Sequence, residues 1–162
     1  METLPFTFHP MDETSARTIL SWCYDEPYAL YNMAPGQIEE SLQAFLDRHN
    51  AYHAITDEHG DLMAYCCFGP DAQVLGGDYN ADALDVGIGV RPDLTGRGLG
   101  FTLLNAVLGF ARRMFTPSMF RATVAEFNKR ALRVCEKVGF RPVQTFQRDR
   151  DGRAFVVLVR KV

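Results

Sequence analysis

The sequence has no apolar run that approaches the ~20 residues a membrane-crossing helix needs, so no membrane partner is expected. It has no excess of basic charge: 17 Lys and Arg stand against 20 Asp and Glu, a net charge of −3. A nucleic-acid surface normally shows a basic stripe, so no nucleic-acid partner is expected either. Cysteine is scarce, with four in 162 residues. Cys23, Cys66, Cys67 and Cys135 follow no metal-site spacing, and the adjacent Cys66 and Cys67 lie inside an apolar run. They read as residues of a reduced, cytoplasmic protein rather than as an extracellular disulfide framework. The opening METLPFTFHP has neither a basic start nor a long apolar stretch, so no signal peptide is expected. Repeats and low-complexity segments are lacking as well.

What is present is ordinary in total. Hydrophobic residues are 47% and charged residues 23%, the balance of a soluble globular protein. The length fits a single domain over residues 1–162. The thirteen glycines are an average share, but their placement is uneven.

Periodicity and punctuation predict the elements. A strand spans Phe6–His9, and a helix Asp12–Tyr24 with Asp12 or Thr14 as its cap. The Tyr- and Pro-rich stretch from Asp25 reads as a loop, and Gln37–Arg48 as a second helix. Strands Ala51–Thr56 and Leu62–Phe68 flank the turn DEHGD. After a loop, Ala83–Val90 reads as a strand that enters the glycine-rich turn before a long helix, which Pro117 stops. Strand Met119–Val124 follows, then a helix from Asn128 to Val138 ended by Gly139. Strands Pro142–Arg148 and Arg153–Val162 close the chain around Asp151-Gly152. The order β-α-α-β-β-β-α-β-α-β-β suggests a mixed sheet with helices on both faces.

Two segments carry candidate chemistry. Side chains alternate along a strand, so Leu84, Val86, Ile88 and Val90 form one dry face and Asp85, Gly87 and Gly89 the other. Two glycines on one face suggest either a groove with a carboxylate at its end or another segment packed on the bare strand. Next, Gly96-Arg97-Gly98-Leu99-Gly100 opens directly into a helix. Exposed amides and the positive end of the helix dipole suit phosphate there, and Arg97 adds a cation. Lys129 and Arg130, in the first turn of the last helix, oppose that helix's dipole. A nearby phosphate would make their placement favourable; the alternative is a solvated basic turn.

With these residues in view, the sequence resembles the GNAT superfamily of acetyl-coenzyme A-dependent N-acetyltransferases. The resemblance rests on Val90-Arg91-Pro92, on Gly96-Arg97-Gly98-Leu99-Gly100 heading a helix, and on Asn128-Lys129-Arg130-Ala131 with Gly139-Phe140 downstream. It implies an α/β (α+β) fold with a mixed, mostly antiparallel central sheet of about seven strands flanked by about four helices. It implies acetyl-coenzyme A as co-substrate, no metal, and a homodimer as the family's frequent assembly. Ile88, Gly89 and Val90 would present backbone to the pantetheine arm. Gly96, Arg97, Gly98, Leu99, Gly100 and Phe101 would cradle the pyrophosphate, and Asn128 would touch the coenzyme near its reactive end. Trp22, Tyr24, Tyr28 and Tyr31 become candidate acceptor-site aromatics, with partial core packing as the alternative that each one taken singly favours. Two positions depart from the pattern: Thr95 stands where Arg or Gln is usual, and Cys135 where a tyrosine acid is frequent.

The implied reaction needs a neutral amine, and lysine-like amines have a pKa of ~10.4, so a base must help near neutrality. Asp85 is the first candidate and Glu126 the second. A backbone N–H near Val90 would stabilise the oxyanion. The thiolate leaves without strong help, its parent thiol having a pKa of ~8.5 by analogy with cysteine. Cys135 is read first as a passive wall, then as a weak acid, and last as a nucleophile. The competing functional reading is a non-catalytic acyl-coenzyme A-binding sensor or regulatory module. A nucleotide-phosphate binder of another fold lacks its fingerprints. His49 and His53 have the spacing of a helical metal pair, but His53 falls in a predicted strand and no third ligand is evident, so no zinc site is expected.

Overall fold

The computed structural model of the chain describes residues 5–162. Residues 1–4, part of the stretch read as lacking a signal peptide, lie outside the described residues. The elements are β1 (Thr7–Pro10), α1 (Glu13–Leu20), α2 (Ile38–Leu46), β2 (His53–Thr56), β3 (Leu62–Phe68) and β4 (Leu84–Val90). They continue with α3 (Leu99–Phe115), β5 (Met119–Ala125), α4 (Lys129–Lys137), β6 (Arg141–Gln147) and β7 (Ala154–Lys161). Type and order follow the sequence expectation.

Local chemistry sets the boundaries. Asp12 caps α1, its carboxylate accepting from the Ser15 N–H at 2.7 Å. The helix stops at Leu20, short of the expected Tyr24. Beyond it the Tyr24 N–H donates to Asn32 Oδ1 at 2.6 Å, and Asn32 Nδ2 returns a bond to the Tyr24 carbonyl at 3.1 Å. A side-chain clamp thereby takes the backbone groups that another helical turn would have used. Helix α2 also ends early, because Asp47 is extended and its carboxylate caps a 3-10 turn at Arg48–Asn50. Asn128 caps α4, accepting from the Ala131 N–H at 3.1 Å. Gly139 follows that helix with a left-handed φ of 102°.

The chain forms two compact units that exchange segments: residues up to Cys67 with Ile88–Thr95, and Phe68–Gly87 with Gly96–Val162. Strand β4 therefore contributes its first half to the second unit and its end to the first. In the first unit, β1, β2 and β3 pair antiparallel, with Phe8 opposite Ile55 and His53 opposite Cys66. Helix α1 packs on α2, burying Ala16, Ile19 and Leu20 together with Leu42 and Phe45. In the second unit, β5, β7 and β6 pair antiparallel, and β4 runs parallel to β5 with Asp85 beside Arg121. Leu103, Val107 and Leu108 of α3 are fully buried, as are Phe120 of β5 and Leu158 of β7. Each such side chain contributes roughly 1.5–3 kcal/mol of hydrophobic stabilisation. Seven strands follow the order β1-β2-β3-β4-β5-β7-β6, a mostly antiparallel mixed sheet with four α-helices among the described residues.

Candidate active site

In the second unit, the turn before α3 is built to expose amides. Gly96 and Gly98 take left-handed φ of 75° and 78°, which side-chain-bearing residues rarely adopt. Gly98 is the N-cap of α3, no side chain caps that end, and the first turn carries no acid. The first N–H groups of a 17-residue helix are thus left for an outside acceptor. Arg97 is exposed on the turn. A Cβ built on Gly96 would lie 3.1 Å from Arg130 Nη1, so the Arg130 guanidinium reaches from α4 to the glycine turn. That contact bears on the two readings of the basic first turn of α4, since the Arg130 charge is directed at the loop. Gly100 has a packing reason: a Cβ there would meet Val134 Cγ2 at 2.9 Å, where α3 and α4 approach closely. Phe101 is 45% exposed, with Lys137 Nζ 5.8 Å from its ring centre.

Asp85 is not the open-groove carboxylate that strand alternation suggested. It is 4% exposed, and Arg121 is 3% exposed. Arg121 Nε donates to Oδ1 and Nη2 to Oδ2, both at 2.7 Å, while Gln73 Nε2 donates to Oδ2 at 2.8 Å. Arg121 Nη1 also holds the Ala81 carbonyl at 2.9 Å, and its guanidinium lies 4.9 Å from the Tyr79 ring centre. The Tyr79 hydroxyl accepts from the Val74 N–H and shares a hydrogen bond with Thr123 Oγ1, both at 2.9 Å. Both carboxylate oxygens of Asp85 are engaged in a fork that ties the loop before β4 to β5. The geometry corrects the expectation of a general base: a side chain enclosed this way is a structural anchor. The sequence reasoning missed Arg121 and Gln73. The available signal was a single charged residue, Arg121, in a strand that otherwise holds apolar residues and one threonine.

Glu126 is exposed at the end of β5, its N–H bound to the Ala154 carbonyl at 2.9 Å. Asn128, two residues on, is half-buried and caps α4. Cys135 is 7% exposed, and burial pushes its thiol up to about 11. Such a thiol is a poorer acid than a coenzyme thiol and holds little thiolate near neutrality. The physics therefore favours the passive-wall reading of Cys135 over acid or nucleophile.

In the first unit, the end of β4 is held by Tyr65 and Tyr24. A Cβ on Gly89 would overlap the Tyr65 ring, so the glycine face is filled by an aromatic side chain. The apolar face expected to be dry is buried at Val86 but open at this end, with Ile88 38% exposed and Val90 half-buried. Here the packed-segment alternative holds, and the open-groove alternative does not. Tyr65 in turn leans on Trp22 at 6.2 Å and on Phe45 at 5.5 Å between ring centres. The Tyr24 hydroxyl donates to the Val90 carbonyl at 2.7 Å, and burial pushes the Tyr24 phenol up to about 12. Tyr31 meets Tyr24 edge-on at 6.4 Å and is 42% exposed, while Tyr28 is half-buried at the start of the Ala29–Tyr31 turn. Trp22, Tyr24 and Tyr31 thus share the loop that follows α1.

A seven-stranded mixed sheet whose long helix starts at a bare glycine turn defines an α/β protein with a helix start suited to an anion. The model of the acetyltransferase (GNAT) family matches residues 14–140, and the chain belongs to that family. Among solved structures, it is similar to a spermidine N-acetyltransferase chimera based on the Vibrio cholerae protein, with 16% identity, 97% of this chain and 95% of that chain covered, and a TM-score of 0.75. An acetyltransferase of the same family from Bacillus anthracis aligns at 11% identity, covering 99% and 97% of the two chains, with a TM-score of 0.75. An uncharacterized Bacillus halodurans protein aligns at 20% identity, covering 96% and 83%, with a TM-score of 0.79. These likenesses establish the fold. No curated protein matches the sequence.

Proposed function

We propose that the chain is an N-acetyltransferase that moves the acetyl group of acetyl-coenzyme A to a primary amine of a small molecule or peptide, by direct attack in a ternary complex. The observation that carries this reading is the head of α3, with left-handed Gly96 and Gly98, no side-chain cap, and Arg130 directed at the turn. These residues fit a diphosphate. Space is open where a Cβ on Gly98 would stand, the helix amides are unclaimed by a cap, and Arg97 and Arg130 supply positive charge. Acetyl-coenzyme A would supply an acyl group activated by a thiol leaving group.

The remaining roles fall to this chain's residues. Backbone groups of Ile88, Gly89 and Val90 would orient the thioester arm. With Asp85 engaged by Arg121, Glu126 is the remaining carboxylate of the two candidates, and it would take the amine proton through water. No protein acid is required for a thiolate to leave, so Cys135 can stay passive. Trp22, Tyr24, Tyr28 and Tyr31 would line the approach of the amine. The net charge of −3 mildly favours cationic acceptors. Polyamines, aminoglycosides and basic peptide N-termini therefore head the panel, and a homodimer in a reduced cytoplasm completes the proposal.

The test supplies acetyl-coenzyme A with that panel, follows free thiol, and measures coenzyme A-dependent stabilisation. The expected result is thiol release with at least one amine, and a weaker stabilisation by coenzyme A in Arg130→Gln. Stabilisation without thiol release from any acceptor would define a non-catalytic acyl-coenzyme A-binding module instead. Absence of any stabilisation would refute both.

A further inference from the structure

We propose that Tyr24 is a positioning residue for the acetyl transfer, fixing the Val90–Arg91 peptide at the end of β4; this rests on the function proposed above. The peptide is held on both sides within the first unit. Its carbonyl accepts from the Tyr24 hydroxyl at 2.7 Å, and its N–H, that of Arg91, donates to the Met63 carbonyl at 2.8 Å. The Arg91 side chain adds a bond from Nη1 to the Leu62 carbonyl at 2.9 Å, and its Nε donates to Asp93 at 2.6 Å. Met63 and Leu62 belong to the neighbouring strand β3, so the N–H side is fixed by the sheet. Only the carbonyl side depends on a residue from the acceptor loop.

Tyr24 is itself held. Asn32 engages its backbone N–H and carbonyl at once, and Tyr31 meets its ring edge-on. The hydroxyl is therefore aimed by a short closed loop, residues 24–32, rather than by a free side chain. The phenol, raised by burial, stays protonated through the working range and remains a donor. The consequence is mechanical: the loop that carries candidate acceptor aromatics and the strand end proposed to orient the thioester are joined by one hydrogen bond. Acyl transfer depends on near-attack geometry, and misplacement by about 1 Å can cost about 100-fold in rate. Removing one tether, with the sheet side intact, is expected to cost less than that.

Tyr24→Phe deletes the hydroxyl and keeps the ring. The expected result is a fall of about tenfold in kcat, with the Kd for coenzyme A changed by less than about threefold and the shape of the kcat–pH profile unchanged. Asn32→Leu, which releases the loop while leaving the hydroxyl in place, should reproduce the kcat loss. In amide exchange, Tyr24→Phe should lower protection at Arg91 by about tenfold. A kcat within about twofold of the parent in Tyr24→Phe, or unchanged protection at Arg91, overturns the positioning role. A pH profile that loses a limb overturns it in favour of direct proton transfer. Parent protein that releases no thiol with any acceptor refutes the proposed function and this inference together. An active parent with an indifferent Tyr24→Phe refutes this inference alone.

Discussion

If Asp85 is an anchor, replacing it should damage the fold far more than the chemistry. Asp85→Asn keeps the shape of the side chain and removes its charge. The Arg121 guanidinium, 3% exposed, would then be buried without its counter-ion, keeping one amide oxygen, the Ala81 carbonyl and the Tyr79 ring, while the new amide NH2 would face a guanidinium donor. Breaking a buried pair from one side typically costs about 3–5 kcal/mol. For a chain of this size about 1 kcal/mol corresponds to roughly 2–4 °C in melting temperature, so the expected loss is roughly 6–20 °C. Arg121→Met should cost a similar amount, since it leaves a buried carboxylate with Gln73 as its remaining side-chain donor. The double variant Asp85→Leu/Arg121→Met removes both charges and should recover most of the loss, because apolar replacement of a buried pair is often neutral. Urea titrations with a constant slope give the three free energies. Turnover, measured where each variant is folded, should stay within about tenfold of the parent. A stable Asp85→Asn protein with kcat lowered about a thousandfold would refute the anchor and restore Asp85 as the base.

Two other outcomes test separate parts of the structure. Cys135→Ala should leave kcat within about twofold and lower stability by about 1 kcal/mol, the usual scale for trimming a buried side chain. Thiol-release kinetics and a melting curve check both, and near-total loss of turnover would make Cys135 catalytic. His53 is 9% exposed and its imidazole is held below the ordinary value of 6.5, with desolvation as the main cause. The unfolded chain therefore binds the proton more readily than the folded one, and stability falls as pH drops below 6.5 toward the lower folded-state value. Above 6.5 His53 contributes no slope. Urea midpoints taken across that window should show the decline in the parent and a shallower one in His53→Gln.

Much of this was legible because the punctuation is local. Asn128 caps α4 through a bond spanning three residues. Asp57 organises the DEHGD turn by accepting from the His59 and Asp61 N–H groups. Asp151-Gly152 closes the last hairpin, where the Arg148 N–H meets the Arg153 carbonyl at 2.8 Å. Nothing comparable announces Arg121 as the partner of Asp85. The two are 36 residues apart, and only the parallel register of β4 on β5 sets them side by side. Alternation along β4 correctly separated its two faces but could not say which face a neighbour fills. That required knowing that Tyr65, on another strand, covers Gly89. The same ambiguity runs through the glycine turn. Gly98 is demanded by a left-handed backbone at a helix start, whereas Gly100 is demanded by Val134 at a helix contact. Read as letters the two are equivalent members of one motif. Read as physics, only the first speaks for an anion, so a match at Gly100 testifies to how α3 packs and leaves the phosphate argument to Gly96, Gly98 and Arg130.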